Sequence, residues 1–173
     1  RAVGHALYEQ GIRRDFEGAP LANGTSSGVH ESQSRLWENI VGRSRGFWEY
    51  FYPQIQKAFP QQLGSVPLDT FHPAINKVER SLIRVDADEV TYPLHIVLRY
   101  RLERAMLAGD LALADLPGAW NDGMKELLGI VPPTDTLGCL QDIHWPDGSI
   151  GYFPPHTLCA LAGAPPGGAV AEA

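Results

Sequence analysis

Apolar residues return every third or fourth position along much of this chain, the period of an amphipathic helix. The clearest run is Val29 to Phe59, where Leu36, Ile40, Val41, Phe47, Phe51 and Ile55 form one broad stripe bordered by Trp37 and Trp48. Pro53 lacks an amide hydrogen and is expected to divide the run into two helices. Pro60 ends the second, and Pro67 is placed to open another over residues 68–78. Ahead of the run, Arg1 to Ile12 reads as the last turns of a helix stopped near Gly11. The intervening Arg13 to Gly28 carries Gly18, Pro20, Asn23, Gly24, Thr25 and Ser26, the composition of a loop.

Further along, Ser81 to Val85 (SLIRV) is short, partly β-branched and close to alternating, so it predicts a strand. Asp86 or Asp88 then caps a long helix reaching Ala108, with Pro93 in its first turns and Gly109 at its end. Leu116 to Leu128 predicts one more helix, opened by Pro117. From Val131 the pattern becomes irregular, with aromatic, Gly and Pro residues alternating with Asp and His, as in a rigid loop that lines a site. The fold class is mainly α with a minor β element.

Composition narrows the function classes. A formal charge of -6 argues against a nucleic-acid surface, which needs clustered Lys and Arg. No run of 18 apolar residues is present to span a membrane, and nothing at the start reads as a signal peptide. Cys139 and Cys159 stand in no paired-ligand spacing and read as reduced thiols of a cytoplasmic protein. The tail AGAPPGGAVAEA, residues 162–173, is too poor in large apolar groups to pack and is expected to be disordered. Because residue 1 falls inside an apparent helix with no cap before it, the chain reads as a fragment of a longer one.

The candidate chemistry lies in GHALYEQG, Gly4 to Gly11, and in the His-Glu pair 30–31. A protein-bound zinc takes three or four ligands from His, Cys, Asp and Glu. His5 is followed 26 residues later by Glu31, and a loop between two helices can fold them together. Spacing alone leaves other roles open. His5 near a helix end also suits a surface or capping residue, Glu31 suits the positive end of a helix dipole, and His30 suits a ligand or a residue orienting Glu31.

Several blocks occur in order: GHALYEQG, HESQSRLWEN with VGRSR after it, IRVDADEVTY, GCLQDIHW and GYFP. Together they resemble the carboxypeptidase Taq family of zinc-dependent metallocarboxypeptidases, from about Gly4 to Leu158. The resemblance implies a mostly helical peptidase with a deep groove, usually homodimeric, that removes single residues from peptide C-termini. It implies a partial catalytic domain over residues 1–161, with zinc as the metal and cobalt or another divalent ion as alternatives. On the family pattern His5 matches the second histidine of H-E-x-x-H, and Glu31 matches the third metal ligand. Arg84 matches an arginine that holds the substrate's C-terminal carboxylate, which a guanidinium grips through two parallel hydrogen bonds. His144 and Tyr152 match residues facing the scissile carbonyl or the peptide. Read without the family, Arg84 is equally well explained by a plain ion pair with Asp86 or Asp88, while His144 and Tyr152 read as packing residues.

The chain departs from the family at its start. Arg1 stands where the family has its first metal-binding histidine, and Ala2 where it has the catalytic glutamate. A guanidinium stays protonated and does not ligate zinc, and a methyl group cannot accept a proton. The chain as written is therefore expected to be inactive by itself. A non-catalytic, peptide-binding relative that keeps the substrate groove is the alternative.

Overall fold

Serine, proline and glycine punctuation sets the helix ends. The computed structural model describes residues 2–24, 26–155 and 157. Among these are seven α-helices and no strand. They divide into two compact units, one running to Lys77 and one spanning Val78–Thr157. Arg1, Cys159 and the tail 162–173 lie outside the described residues.

In the first unit, α1 (Ala2–Gln10) is followed by two short 3-10 turns at Arg14–Phe16 and Pro20–Ala22. Ser26 then caps α2 (Ser27–Arg35), its hydroxyl accepting from the Val29 amide at 3.1 Å. The chain continues as a π-helical turn over Leu36–Val41, which the Gly42 amide closes by donating to the Trp37 carbonyl at 2.9 Å. The Ser44 hydroxyl caps the next helix, α3 (Arg45–Ala58), accepting from Phe47 N at 3.2 Å.

The break in the 29–59 run therefore falls at 42–44, and the expected break at Pro53 does not form. Pro53 lies inside α3 on an exposed face, where its ring costs one backbone hydrogen bond without a buried orphan. The apolar stripe is correspondingly interrupted. None of its six members is fully buried, and Tyr52 is the buried residue of α3. The Tyr52 hydroxyl donates to Val66 O at 2.8 Å and its ring lies 4.5 Å from that of Phe71. A single turn, α4 (Pro60–Leu63), leads to α5 (Leu68–Ile75), shorter than expected because Asn76 turns its amide onto the Arg43 and His72 carbonyls.

In the second unit the expected β element is absent. Residues 81–83 are irregular and run into a 3-10 turn at Arg84–Asp86. Their polar groups go to side chains instead of a neighbouring strand. Ile83 N donates to Ser81 Oγ, Arg84 N donates to Gln141 Oε1 at 2.8 Å, and Leu82 O accepts from Gln141 Nε2 at 2.9 Å. Asp88 is the capping aspartate. Its carboxylate accepts from Val90 N, Thr91 N and Thr91 Oγ1 ahead of α6 (Tyr92–Ala108), and from Glu79 N behind it. Burial works against its charge, but the amides of Thr91 and Glu79 prevail and hold the carboxyl below its ordinary 3.8.

The α7 helix (Leu116–Leu128) packs on α6. Leu98, Leu102, Leu116, Trp120, Met124, Leu128 and the free thiol of Cys139 form the core of this unit. Within the α6 helix His95, Arg99 and Glu103, each four residues from the next, are all buried. From Val131 to Phe153 the chain runs in turns, as expected, with Phe153 buried beside Ala87, Tyr92 and Ile96.

Candidate functional site

The expected site residues fall in both units, His5 and Glu31 in the first and Arg84, His144 and Tyr152 in the second. Gly4 brings the first pair together. A Cβ built on it would lie 2.5 Å from Ser34 Cα, so only glycine lets α1 approach the α2 backbone this closely. The next residue, His5, then meets Glu31 across the two helices, its Nε2 2.9 Å from Glu31 Oε2. Glu31 is buried and its other oxygen faces Arg35 Nε at 3.7 Å.

His30 extends this pair. The Nδ1 atoms of His5 and His30 are 2.6 Å apart, and His30 Nε2 lies 2.7 Å from Glu9 Oε1. Tyr8 packs edge-on against the His30 ring, centroids 4.8 Å apart. A carboxylate only accepts, so His30 donates to Glu9 through Nε2. If both rings are neutral, His30 Nδ1 accepts from His5 Nδ1–H, leaving His5 Nε2 with a lone pair that faces a lone pair of Glu31 Oε2. A cation or one added proton satisfies that arrangement.

The pair fits a metal in donor type and nearly in spacing. Tetrahedral bonds of about 2.0–2.2 Å would place the two donors roughly 3.4 Å apart, a small opening from the present contact. It falls short in number, since no group of three or more His, Cys, Asp or Glu that could hold a metal ion occurs among the described residues.

In the second unit the expected residues gather around Asp142, which the sequence reading did not single out. Arg84 donates to it in the two-pronged manner, Nε to Oδ2 at 3.0 Å and Nη2 to Oδ1 at 2.7 Å. Arg99 donates to Oδ2 through Nε at 2.9 Å and through Nη2, and its Nη2 also reaches Gln141 Oε1 at 2.9 Å. Asp86 and Asp88, the partners considered for Arg84, are not the ones it uses. Arg84 Nη1 makes a longer 3.4 Å contact to the Tyr92 hydroxyl. Both guanidiniums lie near the Phe153 ring, with centroid distances of 4.9 and 5.3 Å, and Arg99 also covers Trp120.

Two cations share one anion here, so the cluster carries a surplus positive charge. Burial opposes the charge of Asp142, but hydrogen bonds from Arg84 and the positive charges of Arg99 and Arg84 hold its carboxyl at about 2. Burial also works to lower Arg84, yet the hydrogen bonds and charge of Asp142 leave it above its ordinary 12.5. Arg99 is more deeply enclosed. Burial, helped by the charge of Arg84, brings it down to about 10, so it remains protonated at neutral pH. Burial and the nearby charge of Arg99 pull His95 down to about 4, and its ring is neutral at neutral pH.

His144 stacks on Tyr152, centroids 4.8 Å apart at 29°, with its Nδ1 3.9 Å from Asp142 Oδ1. Burial, reinforced by the charges of Arg84 and Arg99 against the pull of Asp142, keeps its imidazole below the ordinary 6.5. Tyr152 is partly exposed, 46% of its surface facing out. Arg84, His144 and Tyr152 thus form one local set. Asp142, Gln141 and Arg99 had to be found in the structure; for Arg99 the signal in the sequence is the spacing of four that it shares with His95 and Glu103.

The chain has counterparts among known proteins. The family model described as Carboxypeptidase Taq (M32) metallopeptidase matches residues 2–171, and the chain belongs to this family. It is 52% identical over 162 residues to thermostable carboxypeptidase 1 of Thermus thermophilus, covering 94% of this chain and 32% of that protein. It is 48% identical over 155 residues to carboxypeptidase 1 of Bacillus subtilis, covering 90% and 31%. Among solved structures, the M32 carboxypeptidase from Deinococcus radiodurans R1 matches with a TM-score of 0.88 at 52% identity, over 93% of this chain and 33% of that one. The chain spans about a third of the length of these relatives. Among the described residues no helix is long and apolar enough to cross a membrane.

Proposed function

We propose that this chain is the part of a metal-dependent carboxypeptidase that contributes two metal ligands, His5 and Glu31, and the residues that receive a peptide C-terminus. The observation that carries the reading is the buried Glu31 oxygen 2.9 Å from His5 Nε2. Zinc is the metal proposed, with cobalt or another divalent ion as alternatives, and the working protein is read as a cytoplasmic homodimer. When bound, the ion polarises a carbonyl and lowers the pKa of its water.

The chain's own residues do the remaining work in this reading. The charge of Arg35, 3.7 Å from the second oxygen of Glu31, would help to aim the first. The surplus charge around Asp142 favours a carboxylate ligand. With Nε and Nη2 engaged by Asp142, Arg84 would offer Nη1 to the substrate carboxylate, exchanging the long Tyr92 contact for it. In this reading His144 and Tyr152 would donate to a carbonyl oxygen as it gains charge. The catalytic domain would extend over residues 1–161.

With Arg1 and Ala2 in place of a ligand and a general base, the chain alone should hydrolyse no N-blocked dipeptide to a measurable extent; clear turnover would overturn this. Isothermal titration of the chain with zinc should show weak binding that Glu31→Ala abolishes, and unchanged binding in that variant would remove Glu31 from the site. Those same two residues favour a second reading, a relative that binds peptides without cleaving them. Grafting this chain with Arg1→His and Ala2→Glu into a full-length relative, in place of the matching segment, should recover tight metal binding under the first reading, whereas the second would leave it weak.

A further inference from the structure

We propose that Glu103 is the positioning residue for His144 and Tyr152, its carboxylate clasping both ends of the 145–151 loop that separates them. The inference rests on the reading that these two rings face the substrate. Glu103 projects from α6 and is 3% exposed. Its Oε1 accepts from Trp145 Nε1 at 2.6 Å, and its Oε2 accepts from Gly151 N at 3.2 Å. Trp145 directly follows His144 and Gly151 directly precedes Tyr152, so each tether acts one residue away from a ring of the stacked pair.

The loop also has bonds of its own. Ser149 N donates to His144 O at 2.8 Å and Gly148 N to Trp145 O at 3.0 Å. These bonds shape the loop, while Glu103 ties it to the helix. Gly151 has φ +74, a left-handed conformation in which a side chain would be strained. The geometry suits a carboxylate. Two donors converge on one side chain, each at its own oxygen, and a carboxylate accepts at both. A glutamine would satisfy one donor and point its own NH2 at the other, while an aspartate is one methylene too short to span both.

The test is NMR on the 173-residue chain, comparing Glu103→Gln and Trp145→Phe with the parent. In Glu103→Gln the Gly151 amide should exchange at least about tenfold faster, the order expected for losing a hydrogen bond to a carboxylate. NOEs between the His144 and Tyr152 rings should weaken, and His144 should titrate nearer its ordinary 6.5, while amides in the middle of α6 and α7 keep their protection. Trp145→Phe removes one tether, so His144 should respond while the Gly151 amide stays protected. Two results would overturn the clasp. One is unchanged Gly151 exchange and ring contacts in Glu103→Gln, meaning that the loop's own bonds suffice. The other is a uniform loss of protection across the second unit, meaning that Glu103 only stabilises the fold. None of these measurements involves metal or peptide, so their outcome is independent of whether the carboxypeptidase reading holds.

Discussion

Replacing Asp142 with asparagine should cost the second unit much of its stability, and the loss should carry a distinctive pH signature. The side chain keeps its shape but loses its charge, leaving two guanidiniums with no counter-ion, Arg84 at 8% and Arg99 at 1% side-chain exposure. Removing one member of a buried ion pair costs on the order of 3–5 kcal/mol. A second route gives a similar size. Holding a carboxyl at about 2 instead of its ordinary 3.8 corresponds to about 2.5 kcal/mol favouring the charged form in the folded state. Its pKa is lowered by folding, so this contribution is complete above pH 4 and is lost as pH falls toward 2. Urea unfolding of parent and variant, followed by circular dichroism and tryptophan fluorescence at pH 7 and stepwise to pH 3, measures both effects. At pH 7 the variant should lose several kcal/mol, a large share of a small domain's 5–15 kcal/mol. It should also lose less further stability than the parent as pH falls. A loss below about 1 kcal/mol, or an acid dependence identical to the parent's, would refute the assignment of Asp142 as the counter-ion that both arginines depend on.

Other substitutions probe the remaining links. Gly4→Ala places a Cβ against the Ser34 backbone; the strain should cost about 1–3 kcal/mol in thermal unfolding and weaken zinc binding by moving His5 away from Glu31. Asp88→Ala removes the acceptor for Glu79, Val90 and Thr91. It should cost about 1–2 kcal/mol above pH 4, with a smaller difference from the parent in acid, because the native carboxyl titrates below 3.8. Trp120→Ala opens a cavity under Arg99 and should cost about 3–5 kcal/mol by urea unfolding.

Which parts of this molecule were legible beforehand follows from the range of the forces involved. Helix ends depend on neighbours within four residues, so Pro117, Gly109 and the capping aspartate before α6 could be read directly. The choice between Asp86 and Asp88 needed Glu79, whose amide completes the Asp88 cap from nine residues away. SLIRV has the composition of a strand, but a strand forms only where another pairs with it, and here the side chains of Gln141 and Ser81 take up the backbone groups. Pro53 looked like a helix breaker because its cost was counted without knowing that its face is exposed, and Gly42 and Ser44 ended the run earlier.

The candidate site divides in the same way. The order of its blocks and the chemical types of His5, Glu31, Arg84, His144 and Tyr152 were written in the chain, because family resemblance is a property of residue order. Distances were not. That His5 meets Glu31 depends on Gly4 admitting a backbone contact with Ser34, and that Arg84 is held by Asp142 depends on a loop 58 residues further on folding back across α6. Local propensity and residue chemistry act over a few positions and survive in the order of letters. Burial, ion pairing and the aim of a side chain arise only when distant segments share the same space, and the tertiary structure alone decides them.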